Sequence, residues 1–512
     1  MSAIHIACPN GYTTKMIPTM RTYLSPLRLF LLVIWLILIS LLVKRELLVT
    51  TIAPSESLIL EQAETEEYLS IFFREEKIGV GVYRYIKDEV GWKMEQEASM
   101  DLNIGNKIHP IKMSVTAQLT ETGLLQSFRF SFLSPFYKME GDGTVTNNDI
   151  TYHLFTSSST ITDTVHFPSP PIIPSSRRNY LLNTDIQPGD KVSIPWFDPI
   201  TLSGRESILE YRGRESIVIN GRVERLHHFI ETTAGIRTNS WLNDAGKLIK
   251  EESPAGFVFL REPKFKALAA NSHKNQSPDL LAAVAVTPQS PLVKNNQKMR
   301  YRLTLPENEK FDLDGGRQHF DGQILTIYNE TDQTEEILKC SETISDKALA
   351  STPYVQADSP KIEKLAEKIV AGANNENEKV RRLALWVYKN LEKRPVLGLP
   401  DALSTLDSKR GDCNEHASLF AALARAARVP TLMVAGVTFT RGAFYYHAWN
   451  EVCTEGRWLS VDTTINEIPA DLTHLRFVRG EFQEQMQIGS LLGTLEIEPL
   501  PLQTSQLPET SQ

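Results

Sequence analysis

Cysteine is scarce in this chain and a basic excess is absent. The four cysteines, Cys8, Cys340, Cys413 and Cys453, are too few and too scattered for a disulfide framework or a paired C-x-x-C zinc site. Lysine and arginine number 54 against 62 aspartates and glutamates, a formal net charge of −8. Phosphate binding needs concentrated positive charge, so no nucleic-acid partner is expected. A chain of 512 residues with 41% hydrophobic and 23% charged residues is a globular protein long enough for two or three domains.

Long apolar runs are also missing, with one exception. Leu29 to Val43 is apolar but for Ser40 and is fenced by Arg28 on one side and Lys44 and Arg45 on the other. A span takes about 20 apolar residues, and snorkelling basic side chains make up a shortfall of this size. No small-x-small cleavage pattern follows, so the reading is an uncleaved signal-anchor at 29–43 behind an N-terminal arm at 1–28. Lys15, Arg21 and Arg28 precede it without an acid. The expectation is therefore a single-pass membrane protein with its bulk outside the cytoplasm, periplasmic in a Gram-negative host.

Beyond the anchor, residues 65–269 alternate apolar and polar positions in short runs broken by Gly, Asn, Asp and Pro, the period of strands. An all-β domain is predicted there, with a hairpin turning at Asn243 to Gly246 in "WLNDAGKLIKEES". "GRESILEYRGRESIVINGR" echoes itself and reads as similar hairpin strands rather than a repeat architecture. Residues 270–297 read as a linker, 298–345 as a small β module, and 494–512 as a disordered tail.

From Ser359 the period becomes helical: "PKIEKLAEKIV" and "NEKVRRLALWVYKNLEK" each carry one apolar face. A helix after Cys413 and three strand-like runs follow, so 350–480 reads as an α+β domain.

Within that domain "GDCNEHASLF" sets Asp412 and Glu415 as a capping box, so the helix begins at Cys413. Free N–H groups and the helix dipole favour a thiolate there, whereas the negative charge of Asp412 opposes it. A base stands in "FYYHAWNEV" as His447, and a carboxylate follows in "RWLSVDTT" as Asp462. Neighbouring antiparallel strands bring such groups together, the carboxylate fixing the imidazole's tautomer.

"GDCNEHASLFAALARAARVP", "HAWNEV" and "WLSVDTT" together resemble the core of the transglutaminase-like superfamily, over roughly Tyr354 to Arg479. The β region, in "WFDPITLSG" and "WLNDAGKLIKEESPAGF", also resembles the N-terminal part of membrane-anchored bacterial proteins of that kind. The resemblance implies a papain-like α+β fold and a Cys-His-Asp triad, here Cys413, His447 and Asp462. It implies thioester chemistry on a protein or peptide substrate, with peptide or amide hydrolysis favoured. Acyl transfer to an amine and a non-catalytic peptide-binding scaffold are the alternatives. Hydrolysis is preferred because the spaced acids of a calcium loop, used by animal cross-linking enzymes, are absent. Arg428 stands where the family usually has Gly, and Thr463 where it usually has Pro. No cofactor and no metal are expected: Cys413, His416, His447 and Cys453 lack the close pairs that zinc sites use. Oligomeric state is open at this level.

Overall fold

The computed structural model describes residues 65–501 apart from breaks at 136, 156–159, 183–184, 200–202, 234, 270–276, 296, 307–308, 331–338 and 341–345. It also describes 33–37, 39 and 49–51. In the first of its two units, Met1–Val49, residues 33–37 are helical and exposed. This corrects the expected membrane helix. Among the described residues no helix is long and apolar enough to cross a membrane. The rest of 29–43 and the whole arm at 1–28 lie outside the described residues. The single-pass localisation, with the bulk of the chain outside the cytoplasm, rested on that helix and falls with it. The fold class is corrected in the same way: the chain is mostly β, built on one large antiparallel sheet.

Residues 50–512 form the second unit. Eight strands, from Thr65–Phe73 to Thr160–His166, follow one another as a meander, and six more run from Lys191–Asp198 to Phe257–Arg261. The two meanders join where Phe257–Arg261 pairs antiparallel with the first strand, Phe259 opposite Ile71. Alternation drives the pairing: along Lys138–Thr146 buried Met139, Gly141 and Gly143 alternate with exposed or half-exposed neighbours. A pleated strand sends successive side chains to opposite faces, so such a segment buries one face and wets the other. The turn after Ile236–Leu242 is tied by Asn243 Oδ1, which accepts from the N–H groups of Ala245 at 3.1 Å and Lys247 at 3.0 Å.

The buried face of the sheet, with Tyr85, Met94, Phe128, Phe130, Tyr152 and Leu154, also takes in Tyr354 and Leu399 from the C-terminal part, so one core spans both. Tyr137 packs so closely on Gly398 that a Cβ there would lie 2.2 Å from its ring. Ser134 Oγ donates to the Leu397 carbonyl at 3.1 Å. The sheet thereby braces the loop that walls the cleft described below.

In the C-terminal part, helices Pro360–Val370, Glu376–Asn390 and Ala402–Ser408 surround the helix Cys413–Ala426. That helix is buried from Glu415 to Arg425. Beside it lies a four-stranded sheet ordered Arg457–Val461, Ala443–Thr454, Thr431–Thr440, Leu475–Arg479. A second small sheet contains Lys298–Thr304 and Ile324–Tyr328 and is completed by Glu496–Leu500, from the stretch read as tail. Ile497 in that strand is fully buried, which is why the segment pairs. Cys340 and Cys453 form a disulfide across a separation of 113 residues.

The helix of Cys413 ends with Arg428 at φ 62°, a left-handed conformation that an L side chain adopts at a cost. Arg428 is exposed, so its side chain offers little packing in return. Arg428→Gly is therefore expected to stabilise the protein by about 0.5–1 kcal/mol, seen as a raised urea midpoint with unchanged m-value.

Candidate functional site

Cys413 opens its helix. The Asp412 carboxylate accepts from the Asn414 N–H at 3.1 Å, and Glu415 Oε2 accepts from the Asp412 N–H at 2.9 Å, closing the capping box. The box fixes where the helix starts and hence where the thiol points. Cys413 is half-buried. Burial first, then the charge of Asp412, pushes its thiol well above the ordinary range, with an Ala448 backbone N–H working the other way. A thiol raised in this way needs a base if it is to react as a thiolate.

His447 lies on the strand Ala443–Thr454, opposite Gly436. Its Nε2 is 2.7 Å from Asp462 Oδ2. A carboxylate only accepts, so Nε2 carries the proton and Nδ1 is left as the basic nitrogen for a neighbouring thiol. Asp462 follows the strand Arg457–Val461 and is fully buried. Despite burial, its hydrogen bonds to His447 and to His474 hold its carboxyl far below the usual range. Its Oδ1 accepts from the Thr464 N–H at 2.7 Å.

Cys413 and His447 line one cleft of about 240 Å³, together with Asn414, Ala435, Pro400, Phe482, Met486 and others. Gly398 and Pro400 come from the loop that Tyr137 braces, and Phe482 to Ile488 from the segment after the last strand of the sheet. The structure thus brings together the three residues singled out from sequence. It does not bring in the others considered as ligands: Cys453 is in the disulfide, and His416 Nδ1 pairs with the Asp412 carbonyl at 2.6 Å.

One member of this cluster was not read from sequence. His474, 1% exposed, places Nε2 3.2 Å from Asp462 Oδ2 and Nδ1 3.0 Å from Asp471 Oδ1. It packs edge-on against His447, with ring centroids 5.7 Å apart, and against Trp449 at 5.3 Å. The only signal was the spacing of Asp471 and His474 in "DLTHLRF", which by itself has no chemical meaning. His447, Asp462 and His474 present ligand-type atoms within 4.8 Å of one another, as do Glu467, Asp471 and His474. Hydrogen bonds account for the short contacts that His474 makes with both aspartates and His447 makes with Asp462.

Residues 363–463 match the model of the transglutaminase-like superfamily. Over 135 residues the chain is 27% identical to kyphoscoliosis peptidase of Mus musculus, covering 23% of this chain and 20% of that protein. Over 122 residues it is 28% identical to the Homo sapiens protein of the same name, covering 20% and 18%. The chain spans about a fifth of the length of these curated relatives. A solved beta-barrel-like protein of a domain of unknown function from Brucella abortus aligns over 39% of this chain and 95% of its own, at 11% identity and a TM-score of 0.30.

Proposed function

With residues 363–463 forming a transglutaminase-like domain, we propose that the chain is a cysteine enzyme that hydrolyses amide or peptide bonds through a thioester. The observation that carries this reading is the 2.7 Å bond from Asp462 to His447 Nε2. With Nε2–H turned to Asp462, Nδ1 is the nitrogen of the neutral imidazole that can accept a proton, and Cys413 lines the same cleft.

The chemistry follows from the order of the groups. Nδ1 of His447 takes the thiol proton as Sγ bonds to the substrate carbonyl carbon, and charge develops on the carbonyl oxygen. The Cys413 backbone N–H, at a helix start and so without an intrahelical acceptor, is a donor for that oxyanion. Collapse breaks the C–N bond, and the imidazolium gives its proton to the departing amine. The thioester is then attacked by water, with His447 again as base, and the acid leaves as the thiol is restored. Asp462 stabilises the imidazolium in both halves without itself being protonated. The cleft wall adds Pro400, Ala435, Phe482, Met486 and Ile488, so it favours an uncharged side chain beside the scissile bond.

The test is product analysis by mass. The full chain is incubated with a panel of peptides containing Gln, internal amide bonds and C-terminal amides, with and without an added primary amine. The expected product is the free acid or the cleaved peptide, the amine diverting a minor part. Predominant amine adduct would replace hydrolysis by acyl transfer. Neither product nor thioester on Cys413 would leave a peptide-binding scaffold.

A further inference from the structure

His474 is a buried imidazole with a carboxylate at each ring nitrogen, Asp462 at 3.2 Å and Asp471 at 3.0 Å. Ionised carboxylates have no proton to offer, so both contacts are satisfied together only when the ring donates from both nitrogens, as an imidazolium. Its proton affinity is accordingly raised, first against burial and then through the bonds to Asp462 and Asp471, while both carboxyls are held far below their usual range. A buried cation beside the His447 ring has consequences for any proton held there.

We propose that His474 and Asp471 form a charge-balanced brace behind Cys413, His447 and Asp462, with His474 a positioning residue. Its Nε2–H shares Asp462 Oδ2 with His447, and its charge sets the pH range in which Cys413 loses its proton. This deepens the function proposed above and rests on it.

The charges balance as follows. Asp462 faces two imidazoles through one oxygen. Were His474 balanced by Asp462 alone, little of that carboxylate's field would remain for an imidazolium at His447. Asp471 supplies the second negative charge, leaving Asp462 free to serve His447. The remaining groups around His474 are accounted for. Arg317 donates to the His474 carbonyl at 3.4 Å and faces Glu330 at 3.6 Å. Lys294 pairs with the other oxygen of Asp471 at 3.0 Å. Glu467 accepts from the Asp471 N–H at 3.3 Å. Thr438 Oγ1 lies 3.5 Å from His474 Nδ1. Asp471 is thus fixed by its own contacts, and the brace is built rather than incidental.

The sign of the effect is fixed by electrostatics. A positive charge disfavours proton binding at every nearby group, so its removal moves the whole protonation profile of the site to higher pH. His474→Gln keeps an N–H donor for Asp462 while deleting the charge. In the full chain with Cys8→Ser, the second-order rate of iodoacetamide alkylation, read by mass at Cys413, is followed from pH 5 to 10. In His474→Gln the profile is expected to move up by about one pH unit. In the double variant His474→Gln, Asp471→Asn, where one charge of each sign is removed, it is expected to return towards wild type. A merely structural His474 predicts a double variant at least as far displaced as the single one, or lower stability with an unmoved profile, and either result overturns the brace. If the wild-type profile is itself unaffected by His447→Ala, the assignment of the site fails, and that outcome is separate from the two before it.

Discussion

Replacing His447 with alanine is expected to slow alkylation of Cys413 at neutral pH by at least about tenfold, and to reduce turnover about 10³–10⁴-fold. Cys413 is an unpromising nucleophile without help. Burial, Asp412 and Glu415 all push its thiol up, and the helix start alone does not outweigh them. Under the proposed function the base is the His447 imidazole, which lines the same cleft. Asp462→Asn is the sharper companion. An asparagine amide that donates to Nε2 favours the tautomer with the proton on Nδ1, which places it on the nitrogen that has to accept from the thiol. A loss of similar size with intact near-ultraviolet circular dichroism is expected. Unchanged alkylation in both variants would show that the three residues do not act as a unit.

Arg476→Met is expected to destabilise the protein by about 3–5 kcal/mol, the cost of removing one member of a buried ion pair. Arg476 is 1% exposed. It donates to Glu451 Oε1 at 2.9 Å and to the carbonyls of Asp312, Asp314 and Gly315. Arg479 grips the other oxygen of Glu451 at 2.6 Å. Burial acts against both ions, pulling Arg476 down despite Glu451. Two guanidiniums on one carboxylate nevertheless hold Glu451 at about 2, below its ordinary 4.5. The pH dependence follows in sign. A carboxyl depressed in the folded state contributes stability that is fully present above its unfolded value and is lost as pH falls through the folded one. The stability difference between wild type and Glu451→Gln is thus expected to be constant from pH 6 upward and to shrink between about pH 4.5 and 2. Urea midpoints at pH 7 and pH 3 check it. The strand that carries Glu451 also carries His447.

Much of the candidate site was legible because its signals are local. Asp412 and Glu415 mark a helix start, and His447 and Asp462 sit in runs with strand alternation. His474 was not legible. A lone histidine just before a strand looks the same whether it faces water or two carboxylates, and only the tertiary approach of Asp462 decides. The echo in "GRESILEYRGRESIVINGR" misled for a related reason. Both copies lie in one long strand, Ser203–Ile219, which absorbs the irregularity at a bulge between Tyr211 and Gly213. Alternation gives the period of a strand and not its length. The apolar run at 29–43 shows the limit of composition: hydropathy alone read a membrane span there, and no helix among the described residues meets its length.

The contact between Tyr137 and Gly398 has a consequence for how this chain can vary. Because the ring occupies the space a Cβ at 398 would need, a larger residue there is admissible only if position 137 shrinks. The two lie in different halves of the chain, yet the space at one is set by the side chain at the other. A larger residue at the mouth of the cleft at position 398 would then require a change at position 137, in the connection between two strands of the large sheet.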